Sequence, residues 1–176
     1  MKKLLGWAVW KFCKDYDGEV DELSGRMVVV FTSGFFDPIH RGHIALFREA
    51  KKLGDRLIVH THRDECCVRK KGYVFMPLDD RLEILRSIRY IDEVIVCEPG
   101  CDLTVAGVLE KLRPDIFAKG GDRTFENLPK SEVDVCGRLG IKIVFNVGGG
   151  KAQSSSWIVE NFLKNALNKP QRVGYH

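Results

Sequence analysis

The chain has 176 residues, 44% of them hydrophobic and 30% charged, with a net charge of +4, enough apolar material for one globular core and too much for a disordered chain. The mild positive balance suits an anionic ligand, but no run interleaves Lys and Arg with aromatics as a nucleic-acid surface would. No apolar run approaches the ~20 residues that cross a bilayer.

Residues 1–25 read as an N-terminal helical extension. Leu4, Leu5, Ala8, Val9 and Phe12 recur at helical spacing, and the stretch from Asp15 to Arg26 is charged and turn-like. The opening Met1-Lys2-Lys3 followed by Leu4 to Trp10 imitates a signal peptide. Its apolar part is short, Lys11 and Lys14 follow closely, and no small-residue cleavage site is evident. The expectation is a retained helix packed on the domain of a cytoplasmic protein; Trp7 and Trp10 also suit a homodimer contact or a membrane-surface anchor. The six cysteines (Cys13, Cys66, Cys67, Cys97, Cys101 and Cys136) form no C-x-x-C pair and no set with spaced histidines. Free thiols in a reducing compartment are expected, and no protein-held metal.

From Met27 onward, short apolar runs alternate with helical patterns. Strands are predicted at Val28–Thr32, Arg56–Thr61, Glu93–Cys97, Ile116–Lys119 and Ile141–Asn146, and helices over 41–53, 78–89, 103–112, 130–138 and 155–167. Such alternation predicts an α/β fold: a Rossmann-like, doubly wound, five-stranded parallel sheet with helices on both faces. The domain would run from 26 to 168, with a loosely held tail at 169–176. In such a sheet ligands bind beyond the C-terminal ends of the strands, so each strand end is a place to look for chemistry.

The first strand end is the densest. After Thr32 and Ser33, which can donate hydroxyl bonds, come Gly34-Phe35-Phe36-Asp37-Pro38 and then His40-Arg41-Gly42-His43 at a helix start. Residues three apart share a helix face, so His40 and His43 converge with the free N–H groups of the first turn, and Gly42 lets a ligand come close. This is an anion site suited to a polyphosphate. Asp37 can brace the loop or sit near a metal. At the second strand end His60 and His62 project to one side; ligand contact or solvent exposure is favoured over metal binding. Val68-Arg69-Lys70-Lys71-Gly72 reads as a basic loop placed for triphosphate contact. At the fourth strand end the paired glycines of Lys119-Gly120-Gly121-Asp122 let a base or sugar lie against the backbone, with Asp122 as an acceptor. After the fifth strand, Gly148 to Gly150 lead to Ser154, Ser155 and Ser156, whose hydroxyls and amides can cap a helix and hold a phosphate.

The stretch Gly34-Phe35-Phe36-Asp37-Pro38-Ile39-His40-Arg41-Gly42-His43 resembles the G-x-F-D-x-x-H-x-G-H signature of the cytidylyltransferase-like nucleotidyltransferases. The resemblance extends from about Val28 to Phe162. It implies transfer of a nucleoside monophosphate from an NTP to a phosphate monoester, with release of pyrophosphate. His40, His43 and Lys70 or Lys71 would then be catalytic. Nucleotide contacts would come from Thr32, Ser33, Gly34, Phe35, Phe36, Asp37, Gly42, Lys119, Gly120, Gly121, Asp122, Ser154, Ser155 and Ser156. His62, Asp64 and Arg81 would bind the acceptor. Mg2+ is implied as cofactor, held mainly through phosphates. The Lys119–Asp122 segment is similar to the heptose-phosphate adenylyltransferase branch and favours ATP with a sugar phosphate. The stretch from Ile88 to Ile95 is similar to glycerol-3-phosphate cytidylyltransferase, and FMN adenylyltransferase is a third alternative. A non-catalytic nucleotide-binding protein is the rival class.

Overall fold

A computed structural model describes residues 26–100, 102–121, 123–150 and 153–167. The expected N-terminal helix, the tail at 169–176, Asp122 and Lys151 lie outside them. Five strands form one wholly parallel sheet: β1 (Val29–Gly34), β2 (Arg56–Thr61), β3 (Glu93–Val96), β4 (Ile116–Ala118) and β5 (Lys142–Val144), in the order β3-β2-β1-β4-β5. The order reverses between β1 and β4, which is the switch point where such sheets open a crevice.

Six helices complete the described fold: α1 (Arg41–Lys51), α2 (Asp64–Lys71), α3 (Leu78–Arg86), α4 (Ala106–Leu112), α5 (Lys130–Leu139) and α6 (Ser155–Leu167). Alternation along the strands feeds two apolar layers. Val30, Leu57 and Val59 point to one side and pack with Leu46 and Phe47 of α1 and Leu85 of α3. Phe31, Ile58 and Phe117 point to the other and pack with Leu109 of α4 and Val135 of α5. Burial on both faces is why these strands read as near-continuous apolar runs.

One element departs from expectation. The predicted basic loop is helical, α2. Acidic Asp64 and Glu65 occupy its first turn, basic Arg69, Lys70 and Lys71 its last, and Gly72 closes it in the left-handed region at φ 85°. The charges complement the helix dipole, and the glycine takes the cap that other residues resist. Only Cys66 and Cys67 are buried along it, so no 3.6-residue apolar period marked it.

Candidate active site

Beyond the C-terminal ends of β1 and β4 the crevice is a cavity of about 250 Å³. β1 contributes Ser33 and Gly34, the α1 entrance His40, Gly42 and His43, the β4 end Lys119, Gly120 and Gly121, and the α6 entrance Gln153, Ser154 and Ser155. Three segments separated widely in sequence, the β1–α1 loop, the β4 end and the α6 entrance, therefore meet at the switch point.

The two histidines cap α1 reciprocally. His40 Nδ1 accepts from Gly42 N at 3.1 Å, and His43 Nδ1 accepts from His40 N at 3.3 Å. Their rings stack with centroids 3.7 Å apart. An Nδ1 that accepts a backbone N–H is unprotonated, so in each neutral ring the hydrogen lies on Nε2. Burial, reinforced by His40 and Lys71, holds the His43 pKa down at about 3. His40 is lowered too, by burial first and by Lys71 as well, against a backbone hydrogen bond that raises it. At neutral pH the site presents two uncharged N–H donors.

Glycine is required here by space. A Cβ on Gly42 would meet the His40 ring at 3.0–3.1 Å, and one on Gly34 would meet the Phe36 ring at 2.8 Å. Phe36 itself sits in the left-handed region at φ 51°. Its buried ring, edge-on to His43 at 4.9 Å and to Phe47 at 5.2 Å, wedges the loop against α1.

Cations border the cavity. Lys119, nearly buried, reaches Ser33 Oγ at 3.4 Å and Glu132 Oε2 at 3.4 Å. Burial lowers its pKa while Glu132 opposes the shift. Arg123 also lines the cavity; the sequence reading passed over it, although it directly follows the Gly-Gly-Asp turn. At α6, Ser154 Oγ caps the helix by accepting from Trp157 N at 3.2 Å, and Ser155 Oγ donates to Pro38 O at 2.9 Å. The latter bond ties the α6 start to the signature loop. Ser156 is exposed and outside the lining.

Several expected contacts go elsewhere. Asp37 is fully buried and accepts from Phe75 N and Met76 N, so it braces the loop and is not a ligand to the cavity. Lys71 donates to the Asp37 carbonyl and lies 3.7 Å from its carboxylate. It is outside the lining, yet it influences both histidines electrostatically. Lys70 is exposed on α2, away from the lining.

Arg81 is not an acceptor contact. It is wholly buried and donates to Met76 O, Phe35 O, His62 O, Thr61 Oγ1 and, at 2.6 Å, Asp64 Oδ1. The ion pair is with Asp64 and not with the nearer-in-sequence Asp79 or Asp80. Asp64, whose other oxygen accepts Leu78 N, is occupied as its partner. His62 is buried as well, stacked on Phe35 at 4.5 Å, and not solvent-exposed. Thr32 is buried in β1 and outside the cavity lining, and Phe35 turns its ring to His62.

With this geometry in hand, comparison with known proteins is decisive. The family model described as Cytidylyltransferase-like matches residues 31–160. The chain belongs to that family. A FAD synthase of Pyrococcus abyssi is 42% identical over 102 residues, covering 57% of this chain and 68% of the relative. The bifunctional protein HldE of Hahella chejuensis is 40% identical over 107 residues, 60% of this chain but only 22% of that much longer protein. Among solved structures, a lipopolysaccharide core biosynthesis protein of Thermoplasma volcanium superposes with a TM-score of 0.56 at 29% identity, over 69% of this chain and 95% of that one. This cytidylyltransferase-like protein is therefore an enzyme of the nucleotidyltransferase class. Among the described residues no helix is long and apolar enough to cross a membrane.

Proposed function

We propose that the chain transfers an adenylyl group from ATP to a phosphate monoester, FMN, and releases pyrophosphate. The observation that carries the reaction class is the stacked pair of neutral imidazoles at the α1 N-terminus, set in a cavity bordered by Lys119 and Arg123. An oxygen of the acceptor phosphate attacks the α-phosphorus of ATP. The bond from that phosphorus to the bridging oxygen breaks, and its electron pair leaves with pyrophosphate. The Nε2–H groups of His40 and His43 donate to the triphosphate where charge grows on the leaving group. They need no protonation to do so, and they are pre-positioned by their backbone bonds. The α6 N-terminus with Ser154 and Ser155 receives the outer phosphates, while Lys119 and Arg123 balance charge. Lys71 acts from a distance by holding the loop and the local potential.

The lining includes no carboxylate among the described residues, and Asp37 is committed to backbone amides. Mg2+ would enter as part of the nucleotide substrate, held mainly through phosphate oxygens. The reading carries with it a cytoplasmic setting and, by analogy with other members of the fold, a homodimer.

The match along two thirds of a FAD synthase supports FMN as acceptor. A second reading, a sugar phosphate such as heptose 1-phosphate, is favoured by the HldE match and by Lys119-Gly120-Gly121. Both use ATP. Pyrophosphate release, measured with ATP and CTP against FMN, heptose 1-phosphate and glycerol 3-phosphate, separates them. Turnover with ATP and FMN is expected; turnover only with CTP, or with no acceptor in the panel, rejects the assignment.

A further inference from the structure

A second group of chemistry-bearing side chains lies outside the cavity lining. β2 and β3 are parallel neighbours with Thr61 opposite Val96, and the ladder continues as Cys97 N donates to Thr61 O at 3.2 Å. Side chains two apart share a face. His60, His62 and Cys97 therefore meet at the ends of these strands, on the side of the sheet away from Arg81. One donor atom from each lies within 4.8 Å of the others, and all three residues are buried.

The histidines are short of partners. His60 is fully buried, yet neither Nδ1 nor Nε2 has a hydrogen bond, and His62 Nδ1 has none. Buried polar atoms are nearly always paired, so three orphaned imidazole nitrogens in one place call for a ligand. Cys97 Sγ accepts from Arg63 N at 3.3 Å, a bond that supports a thiolate.

We propose that His60, His62 and Cys97 bind a zinc-class divalent ion, as a tetrahedral site distinct from the nucleotide cavity. Two imidazoles and a thiolate suit a borderline-soft ion and not magnesium. With Zn–N near 2.0–2.1 Å and Zn–S near 2.3 Å, tetrahedral donors stand roughly 3.3–3.6 Å apart, so side-chain rotations of about an ångström close the site. Cys66 Sγ lies 3.9 Å from Cys97 Sγ but outside the three-residue group, so a water would complete the tetrahedron. The ion would fix His62, on which Phe35 of the signature loop stacks, and so brace that loop from behind.

The test uses the full chain, untagged and reduced, stripped with a chelator and titrated with Zn2+ or Co2+. One equivalent per chain is expected, with a tetrahedral cobalt spectrum and a thiolate-to-cobalt charge-transfer band. Magnesium in excess should not compete. His62→Ala and Cys97→Ser should each weaken binding at least about tenfold, and Cys97→Ser should lose the charge-transfer band. The wild-type spectrum alone decides the matter if a variant misfolds. Binding well below one equivalent, a spectrum without the thiolate band, or unchanged affinity in both variants would overturn the site. None of these readouts involves nucleotide transfer, so their failure is separate from that of the adenylyltransferase reading.

Discussion

His43 shows how one residue's surroundings set its chemistry. Its ring is pinned by a backbone bond at Nδ1, pressed edge-on by Phe36 and stacked on His40. The resulting depression of its pKa to about 3 has a consequence for stability. Unfolded, the ring protonates near the ordinary imidazole value of 6.5; folded, it stays neutral to about pH 3. Between those values the unfolded chain binds the extra proton. The contribution is thus complete above pH 6.5 and is lost as pH falls toward 3. Thermal melts of metal-free protein should show declining stability over that window, and His43→Gln should shallow the slope; an identical slope in the variant would refute the assignment. Arg81 makes the opposite case, a charge used for structure. Truncation to Ala leaves the carbonyls of Met76, Phe35 and the buried His62 without their donor, Asp64 without its ion-pair partner, and a cavity beside Phe35, so roughly 3–4 kcal/mol of stability should be lost in urea unfolding. A raised KM with unaltered stability would instead return Arg81 to the acceptor site.

At the scale of elements, the entrance to α1 is the decisive construction. Gly42→Ala places a methyl against the His40 ring and should rotate it out of register with His43. A displacement of about 1 Å in such a donor can cost 10²-fold in rate, so kcat should fall steeply while the melting temperature moves little; retained turnover would show that the stacked geometry is dispensable. This entrance was legible in the sequence because glycine, histidine spacing and a strand-to-helix switch all constrain the same ten residues. The five strands were legible for a related reason: residues buried on both faces make unbroken apolar runs. Strand ends drifted by no more than two residues, as with β5, predicted over Ile141–Asn146 and found at Lys142–Val144. α2 was missed because its stability comes from terminal charges and a glycine cap, which leave no apolar period. Arg81 and Asp64 were misjudged because a motif position says nothing about which way a side chain turns. Their pairing spans a turn and becomes visible only in three dimensions. The His60, His62 and Cys97 cluster was hidden likewise, since its members come together through strand register and not through metal-ligand spacing.

For the molecule as a whole, the reversal of strand order between β1 and β4 gathers the signature loop, the Lys119-Gly120-Gly121 turn and the α6 entrance around one cavity. Helix α6 buries no residue along its described length and is held at its start by the Ser155 bond to Pro38. The end proposed to receive phosphate is thus tied to the histidine loop through the Ser155 hydroxyl, an arrangement suited to adjustment when nucleotide enters. Everything proposed for the reaction depends on the two imidazoles acting on the triphosphate. The most direct measurement is the single-turnover rate of pyrophosphate formation from ATP and FMN, in the wild type and in His43→Ala, with folding of both verified by circular dichroism. A fall of about 10²–10³ in the variant, in a folded protein, is predicted from loss of a pre-positioned donor; a folded variant that forms pyrophosphate at the wild-type rate would contradict the account.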